Sequence, residues 1–338
     1  MFSKTKLLKA ARLTGTVLLL AYVLYKADLF SAVGWTRLAG TFAHVSVTLV
    51  VISILSNLVL DVISAAKWWV LARAVDLRGG PLTLFGYYLS GRFFNLVLPS
   101  NIGGDVIRVG LQGRLSGNTA ASAASVFMDR LTGFIVLISL TTADTLLNAR
   151  TQNLPFVTEA LVLSVLGLAG LLWVIFDRRP FEFVRRISLR LVPRLEPLFH
   201  QSDKVLSALN LYRSRRAHLV GAFLLSLLFY VSAGVTYWLD VAPFAPETPL
   251  LPVLIATPFI MFIMNIPLSL GNVGLMEFAY TVVLGLFGVP PSVALSAAVL
   301  HRLKSFIAAG WGGIVYNMMK LESPVAELKS LKLQAEKS

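Results

Sequence analysis

The sequence lacks cysteine and is poor in charge, and each shortage excludes a class of protein. Without cysteine, the 338-residue chain forms neither disulfides nor thiolate metal sites, and its four scattered histidines lack metal-ligand spacing. Only 14% of the residues are charged, whereas 56% are hydrophobic and the mean hydropathy is +0.75. Repeated apolar runs reach the roughly 18 residues that a spanning helix needs. The sequence therefore predicts an all-α polytopic membrane protein.

The excess of basic residues is a feature of the loops. The formal net charge is +13 and the pI is about 10.2, which could indicate binding to nucleic acid. The bases, however, lie mainly between apolar runs and are not interleaved with aromatic residues on a soluble module. We therefore expect no nucleic-acid partner and interpret the charge as a determinant of membrane topology.

Nine apolar segments are candidate spans. They cover residues 11–26, 43–63, 82–98, 118–143, 156–176, 217–239, 250–268, 273–288 and 291–316. By the positive-inside rule, Lys4, Lys6 and Lys9 place the N-terminus in the cytoplasm. Ten Lys or Arg residues place the basic, amphipathic segment 177–216 there too. The first segment has no signal-cleavage site, which indicates an uncleaved helix.

The stretch NLVLPSNIGGDVIRVG interrupts the apolar pattern with helix breakers and charges. From a cytoplasmic N-terminus, the spans 11–26 and 43–63 return the chain to the cytoplasm. Because the basic segment 177–216 is also cytoplasmic, 156–176 must end there and 118–143 must begin there. Residues 82–117 therefore begin and end on the cytoplasmic side. The simplest solution is a re-entrant hairpin broken between Pro99 and Gly104, since proline kinks a helix and glycine tolerates the turn. Non-helical backbone at membrane depth is tolerated only inside protein or beside a water-filled cavity. The break therefore predicts a cavity.

A second copy of this pattern predicts an inverted repeat. PLSLGNVGLMEFAY again combines proline, small polar residues, glycines and an acid, and RLKSFI matches the earlier RLTGFI at four of six positions. The first motif covers about 82–143 and the second about 250–316, and lysines place the C-terminus in the cytoplasm. Inverted repeats with broken helices form substrate sites near the membrane midplane. We expect two re-entrant hairpins and about six full spans, although two complete spans would also satisfy the charges in the second half.

The candidate site combines arginines with the acids that follow each break. Arg130 and Arg302 lie near the middle of their segments, where an arginine costs roughly 2.5 to 3.5 kcal/mol. Asp105 and Glu277 are the expected partners. Either the arginines only tie the repeats together, or they meet an anionic substrate beside a helix N-terminus. The predicted substrate-binding residues are Asn101, Gly103, Gly104, Asp105, Arg108, Arg130, Asn272, Gly274, Glu277 and Arg302.

Side chains near each break are candidate N-caps of the half-helices. Asn101 or Ser100 can cap the helix beginning at Gly103, and Ser269 or Asn272 can cap the one near Gly274. Such caps leave other backbone N–H groups and the positive end of the helix dipole facing the cavity. We expect both helix starts to contribute to anion binding.

These motifs resemble the flippase-like transmembrane domain of the lysylphosphatidylglycerol synthase family. The resemblance rests on LPSNIGGDVIR, DRLTGF and PLSLGNVGLMEF and covers about 10–318, a single transmembrane domain within 1–318. The family's second motif is usually richer in glycine and has an arginine where Met276 stands. The remaining 319–338 is expected to be a cytoplasmic tail, with no room for the aminoacyl-transfer domain. The resemblance implies a multi-pass protein of a bacterial or archaeal cell (inner) membrane.

Lipid translocation is what the resemblance implies. The predicted cargo is an anionic membrane lipid, a phospholipid or a polyprenyl-phosphate-linked lipid, moved between leaflets through an arginine-lined midplane cavity. No G-x-x-x-x-G-K-[ST] loop is present, so movement would follow the lipid gradient or be coupled to a proton or ion through Asp105 or Glu277. We expect no cofactor and no enzymatic activity. The alternatives are a transporter of a small solute or ion and a membrane enzyme acting on a lipid headgroup; the oligomeric state, a homo-oligomer included, stays open.

Overall fold

The chain folds into helices that run through most of its length. The computed structural model describes residues 4–43, 45–97, 103–148, 157–191, 196–266 and 269–319. The α-helices are α1 (Lys4–Lys26), α2 (Ala32–Ala43), α3 (Val47–Ala74), α4 (Pro81–Val97), α5 (Gly103–Ser116), α6 (Thr119–Leu147), α7 (Val157–Phe176), α8 (Arg178–Leu191), α9 (Glu196–Leu211), α10 (Arg216–Val241), α11 (Leu250–Met264), α12 (Leu275–Leu286) and α13 (Pro291–Met318).

Five of these helices are long and apolar enough to cross a membrane: α3, α6, α7, α10 and α13. Shorter apolar helices are α11, α12 and the Thr16–Lys26 part of α1. The prediction of an all-α polytopic membrane protein is confirmed. The re-entrant hairpins and the inverted orientation of the two halves stay predictions, because the structure contains no membrane.

The helix break after α4 produces a compact helical hairpin. α4 ends at Val97 and α5 begins at Gly103, on either side of Pro99. At the opposite end, the backbone N–H of Arg78 donates to the hydroxyl of Ser116 over 3.1 Å, and the Gln112 amide donates to the Arg78 carbonyl over 2.7 Å. The chain therefore leaves this point along α4 and returns to it along α5. This is the out-and-back path that the sequence predicts for 82–117.

Two apolar cores flank the middle of the molecule. The first joins the α4 and α5 hairpin to α3, α6 and α9, with Trp68 and Leu111 among its buried members. The second joins α11 and α12 to α10, α13 and part of α6, with Phe259 and Tyr280 buried in it. Each broken region thus packs into its own core, and the helices α3, α6, α10 and α13 connect the two.

Two features differ from the sequence-based spans. α2 lies where no apolar segment was predicted, and it packs beside α13. α3 continues eleven residues past the predicted end at 63, because the polar residues in its last turns are paired inside the protein. Trp68 is fully buried and donates to the Ser125 hydroxyl over 3.1 Å, while Lys67 binds Asp129. Tertiary contacts thus extend a helix whose apolar pattern had ended.

Candidate functional site

A cavity of about 340 Å³ lies between the two cores. Residues of α3, α4, α5, α6, α10, α11 and α13 line it, so both halves of the chain contribute to its wall. The volume falls within the range of small-ligand pockets. Apolar side chains such as Leu60, Phe134 and Phe229 face it together with charged ones. Asn95 and Asp105, on either side of the first break, also line it.

Among the described residues, the cavity wall carries four permanent cations and three carboxylates. The cations are Lys67, Arg92, Arg108 and Arg130, and the carboxylates are Asp61, Asp105 and Asp129. Each cation contacts a carboxylate, which reduces the cost of placing it at membrane depth. With the cavity's histidine neutral, the formal charge of this wall is 4 − 3 = +1. The charged groups of the described wall therefore leave a small positive excess.

Arg130 and Asp105 form the pair that the sequence predicts. Arg130 Nε donates to Asp105 Oδ2 over 2.9 Å, and Asp105 Oδ1 lies 3.3 Å from Arg108 Nη1. The Arg130 side chain remains 44% exposed, whereas that of Asp105 is 15% exposed. Asp105 thus connects two arginines from neighbouring helices, and Arg130 is the more accessible of the two to a ligand.

Arg108 is held by an ion pair and an aromatic ring, while one of its guanidinium nitrogens makes no hydrogen bond to the described residues. Its Nη2 donates to Asp129 Oδ2 over 2.7 Å, and its Cζ lies 4.2 Å from the centre of the Trp68 ring, a cation–π distance. Its Nε is buried and has no hydrogen-bond partner among the described residues, and the same holds for Asn57 Nδ2. A buried donor without a partner costs free energy. Both residues line the cavity, while these two nitrogens themselves lie beneath its surface.

The glycines of the first motif bring α4 and α5 into close contact. Gly103 begins α5, and the backbone N–H of Gly104 donates to Asn95 Oδ1 over 2.7 Å. A Cβ on Gly104 would lie only 2.1 Å from the Gly91 carbonyl oxygen. Asn101, the predicted ligand and cap, and Ser100, the alternative cap, lie outside the described residues. Gly104 is thus required for packing, and its N–H is already engaged.

The second motif forms a similar ion pair away from this cavity. Arg302 Nε donates to Glu277 Oε1 over 2.8 Å, and its Nη2 donates to the Asn272 carbonyl over 3.1 Å. The cavity lining among the described residues does not include Asn272, Gly274, Glu277 or Arg302. The two predicted halves of the site are therefore not brought together around this cavity.

The predicted cap of the second broken helix is wrong. The N-cap of α12 is Gly274, and neither Ser269 nor Asn272 caps it with a side chain. Instead, Glu277 Oε2 accepts from the Gly274 N–H over 2.8 Å. The physical reason is that Glu277 occupies the third position of α12, from which a carboxylate can reach back to the cap N–H. This acid therefore supplies the negative charge at the helix start.

The predicted substrate-binding residues do not include several charged residues of the cavity. Arg92 lies within α4 and binds Asp61 of α3, and both face the cavity. Lys67 donates to the Asp129 carbonyl over 2.8 Å. The available signal was a charged residue inside an apolar segment, which usually marks a functional position. What the sequence could not supply was the partner of each charge on another helix.

Comparison with known proteins identifies the family. The model of the lysylphosphatidylglycerol synthase transmembrane region matches residues 10–312. The chain belongs to this family. The lysylphosphatidylglycerol synthase transmembrane region thus includes both helix breaks and all the cavity-lining residues that the structure describes. A UPF0104 membrane protein of Methanothermobacter thermautotrophicus is 26% identical over 310 residues, which cover 86% of this chain and 91% of that protein. No solved structure gave a significant match.

Proposed function

We propose that this protein moves an anionic lipid between membrane leaflets, with the lipid's phosphate bound in the cavity. The observation that carries the proposal is the set of cationic donors facing this space. The Arg130 side chain is 44% exposed, and Lys67, Arg92 and Arg108 line the same wall. A phosphate oxygen satisfies such donors and balances the net positive charge of the wall.

The lining of the cavity suits an amphiphile. Charged groups of α3, α4, α5 and α6 share it with apolar side chains such as Leu60, Phe229 and Met261. Its volume of about 340 Å³ holds a headgroup, and the hydrocarbon chains would remain among the helices and the surrounding lipid. A polyprenyl-phosphate-linked lipid and a phospholipid share the phosphate that these donors would bind.

The membership of the family supports a lipid-related role and does not identify the cargo. The family takes its name from enzymes that make lysylphosphatidylglycerol, and the match covers their transmembrane region. Neither serine of the described cavity wall, Ser64 or Ser226, is seen hydrogen-bonded to the histidine of that wall, the arrangement that nucleophilic headgroup chemistry by a serine would need. Translocation is therefore the better proposal for this region.

The test is lipid translocation in liposomes that contain the purified protein. Fluorescent phosphatidylglycerol and phosphatidylcholine are compared, and loss of the outer-leaflet signal on adding an impermeant quencher measures their distribution over time. The cavity variant is Asp105→Asn/Arg130→Gln. The matched control is Glu277→Gln/Arg302→Gln, which removes a similar ion pair outside the cavity wall.

We expect phosphatidylglycerol to move faster than phosphatidylcholine with the wild type and the control, and to stop with the cavity variant. Both double variants remove an acid and a base together, so neither leaves a buried charge unpaired. If the cavity variant moves phosphatidylglycerol at the wild-type rate, the cavity is not the lipid path. If neither the wild type nor the control moves any lipid, the translocation proposal fails and a soluble solute becomes the better candidate.

A further inference from the structure

A buried polar cluster lies next to the cavity and takes no part in the ion pairs described above. Its centre is Asp240 on α10, which is fully buried. Asp240 Oδ1 lies 2.5 Å from Lys304 Nζ and accepts from the Ser53 hydroxyl over 2.7 Å. Its Oδ2 lies 2.8 Å from His301 Nδ1 and accepts from the Tyr280 hydroxyl over 3.0 Å. One carboxylate thus contacts two basic side chains, Lys304 and His301.

His301 connects this cluster to the cavity. It lines the cavity wall, whereas the side chains of Asp240 and Lys304 are 0% exposed. Lys304 also lies 3.3 Å from the Ser53 hydroxyl. A group in the cavity can therefore exchange a proton with His301 but does not reach Lys304 directly. The cluster has one accessible end and one buried end.

The charges of the cluster balance without a proton on His301. The carboxylate of Asp240 and the ammonium of Lys304 cancel, so a neutral imidazole leaves no net charge inside the protein. A proton on His301 would add one positive charge at a buried position, which is unfavourable unless a negative charge arrives nearby. An anionic group in the cavity is such a charge.

We propose that His301, positioned by Asp240, is a proton-binding site coupled to anion binding in the cavity. This inference rests on the proposed function and adds its coupling ion. The anionic headgroup and the proton would bind together, each raising the affinity for the other by the same factor, because coupling between two sites is reciprocal. The cargo would then cross the membrane together with a proton.

The neighbouring groups limit when the proton can bind. Arg92 of α4 lies close enough for its positive charge to oppose a proton on His301, although Asp61 of α3 offsets part of that charge. The uncharged rings of Tyr237 and Tyr280 lie 4.8 Å and 5.7 Å from the imidazole and exclude water from two sides. A bound anion would offset the positive charge of Arg92 and so favour a proton on His301.

The other charged side chains on the helices around His301 are paired with one another and not with the imidazole. Glu277 of α12 binds Arg302, which is adjacent to His301 in sequence, so this pair carries no net charge toward the imidazole. Across the cavity, Arg130 of α6 binds Asp105 of α5. Asp240 is thus the carboxylate in direct contact with His301 among the described residues.

The experiment is calorimetric titration of the full chain in detergent with short-chain phosphatidylglycerol. Repeating the titration in buffers of different ionisation enthalpy gives the affinity and the number of protons taken up per bound lipid. Short-chain phosphatidylcholine, which carries a phosphate but no net charge, is the control lipid. The variants are His301→Gln and, as the matched control, His218→Gln, which lies in the first turn of α10 outside the cavity wall.

We expect net proton uptake on binding phosphatidylglycerol to the wild type and to His218→Gln, and almost none with His301→Gln. The wild-type affinity should also fall as the pH rises from about 5.5 to 8, by up to about tenfold per pH unit. A purely structural role for the cluster would leave proton uptake and this pH dependence unchanged by the substitution.

The failures of the two proposals are distinguishable. If the wild type binds phosphatidylglycerol without proton uptake and with the same affinity across this pH range, the coupling is overturned and the lipid site stands. Unchanged proton uptake in His301→Gln assigns the proton to another group and likewise overturns the inference. If the wild type binds no phosphatidylglycerol at any pH, the proposed function itself fails. If His301→Gln does not fold, the wild-type pH series still tests the coupling, and His301→Asn tests the assignment of the proton to His301.

Discussion

Arg130 donates from Nε to Oδ2 of Asp105, which precedes it by 25 residues, over 2.9 Å. The second half of the chain repeats this relationship, since Arg302 donates from Nε to Glu277, also 25 residues earlier, over 2.8 Å. In each half the acid is the third residue of its helix and the arginine the twelfth. This correspondence supports the repeat that the sequence predicts, and it supplies matched variants for experiments.

The second ion pair should contribute mainly to stability. In Arg302→Gln, Glu277 is left buried without its cation, because its side chain is only 8% exposed. We expect a loss on the order of 3 kcal/mol in unfolding free energy, measured by denaturant titration in mixed micelles. Glu277→Gln/Arg302→Gln should recover much of this loss. Equal stability of wild type and Arg302→Gln would show that the pair is not structural.

Gly104 should tolerate no side chain. In Gly104→Ala the new Cβ would meet the Gly91 carbonyl oxygen at 2.1 Å and Asn95 Cγ at 2.7 Å, so α4 and α5 must move apart. We expect a destabilisation of about 1 to 3 kcal/mol, seen as a lower Tm in detergent. Gly285→Ala is the control, since nothing lies within 4 Å of its added Cβ. A Gly104→Ala protein as stable as the control would contradict this close packing.

Two glycines of α13 should respond in opposite directions. The added Cβ in Gly312→Ala would lie 2.1 Å from the Leu89 carbonyl oxygen, whereas Gly310→Ala places its methyl in open space. Gly312→Ala should therefore disturb the contact of α13 with α4 and lower the Tm. Gly310→Ala should stabilise the helix by about 0.5 to 1 kcal/mol. The prediction is refuted if both variants melt at the same temperature.

The absence of cysteine makes the topology directly measurable. Arg78→Cys and Leu115→Cys carry thiols at exposed positions at the base of the α4 and α5 hairpin, and the re-entrant model places both in the cytoplasm. Impermeant maleimide should label them only after the cytoplasmic side is opened. Ser214→Cys is the cytoplasmic reference, and Glu247→Cys is the reference for the other side. Labelling of Arg78→Cys or Leu115→Cys from outside intact cells would refute the cytoplasmic hairpin.

The sequence by itself determined the class of protein, the position of the first break and the partners of the central arginines. Long apolar runs specify membrane helices because the bilayer offers no hydrogen bonds to an open backbone. Proline and glycine end α4 and begin α5 close to the predicted positions for equally local reasons. Asp105 and Glu277 could be paired with Arg130 and Arg302 because an arginine within a span needs a nearby acid.

Only the tertiary structure decided which distant polar groups meet. The Ser53 and Asp240 side chains meet across 187 residues, and Lys304 reaches Ser53 across 251. No periodicity within one helix encodes such contacts, because they depend on how helices rotate and cross when their apolar faces pack. The same packing places Arg130 and His301 beside the cavity and keeps Arg302 out of its wall, although the sequence presents the two arginines as equivalent.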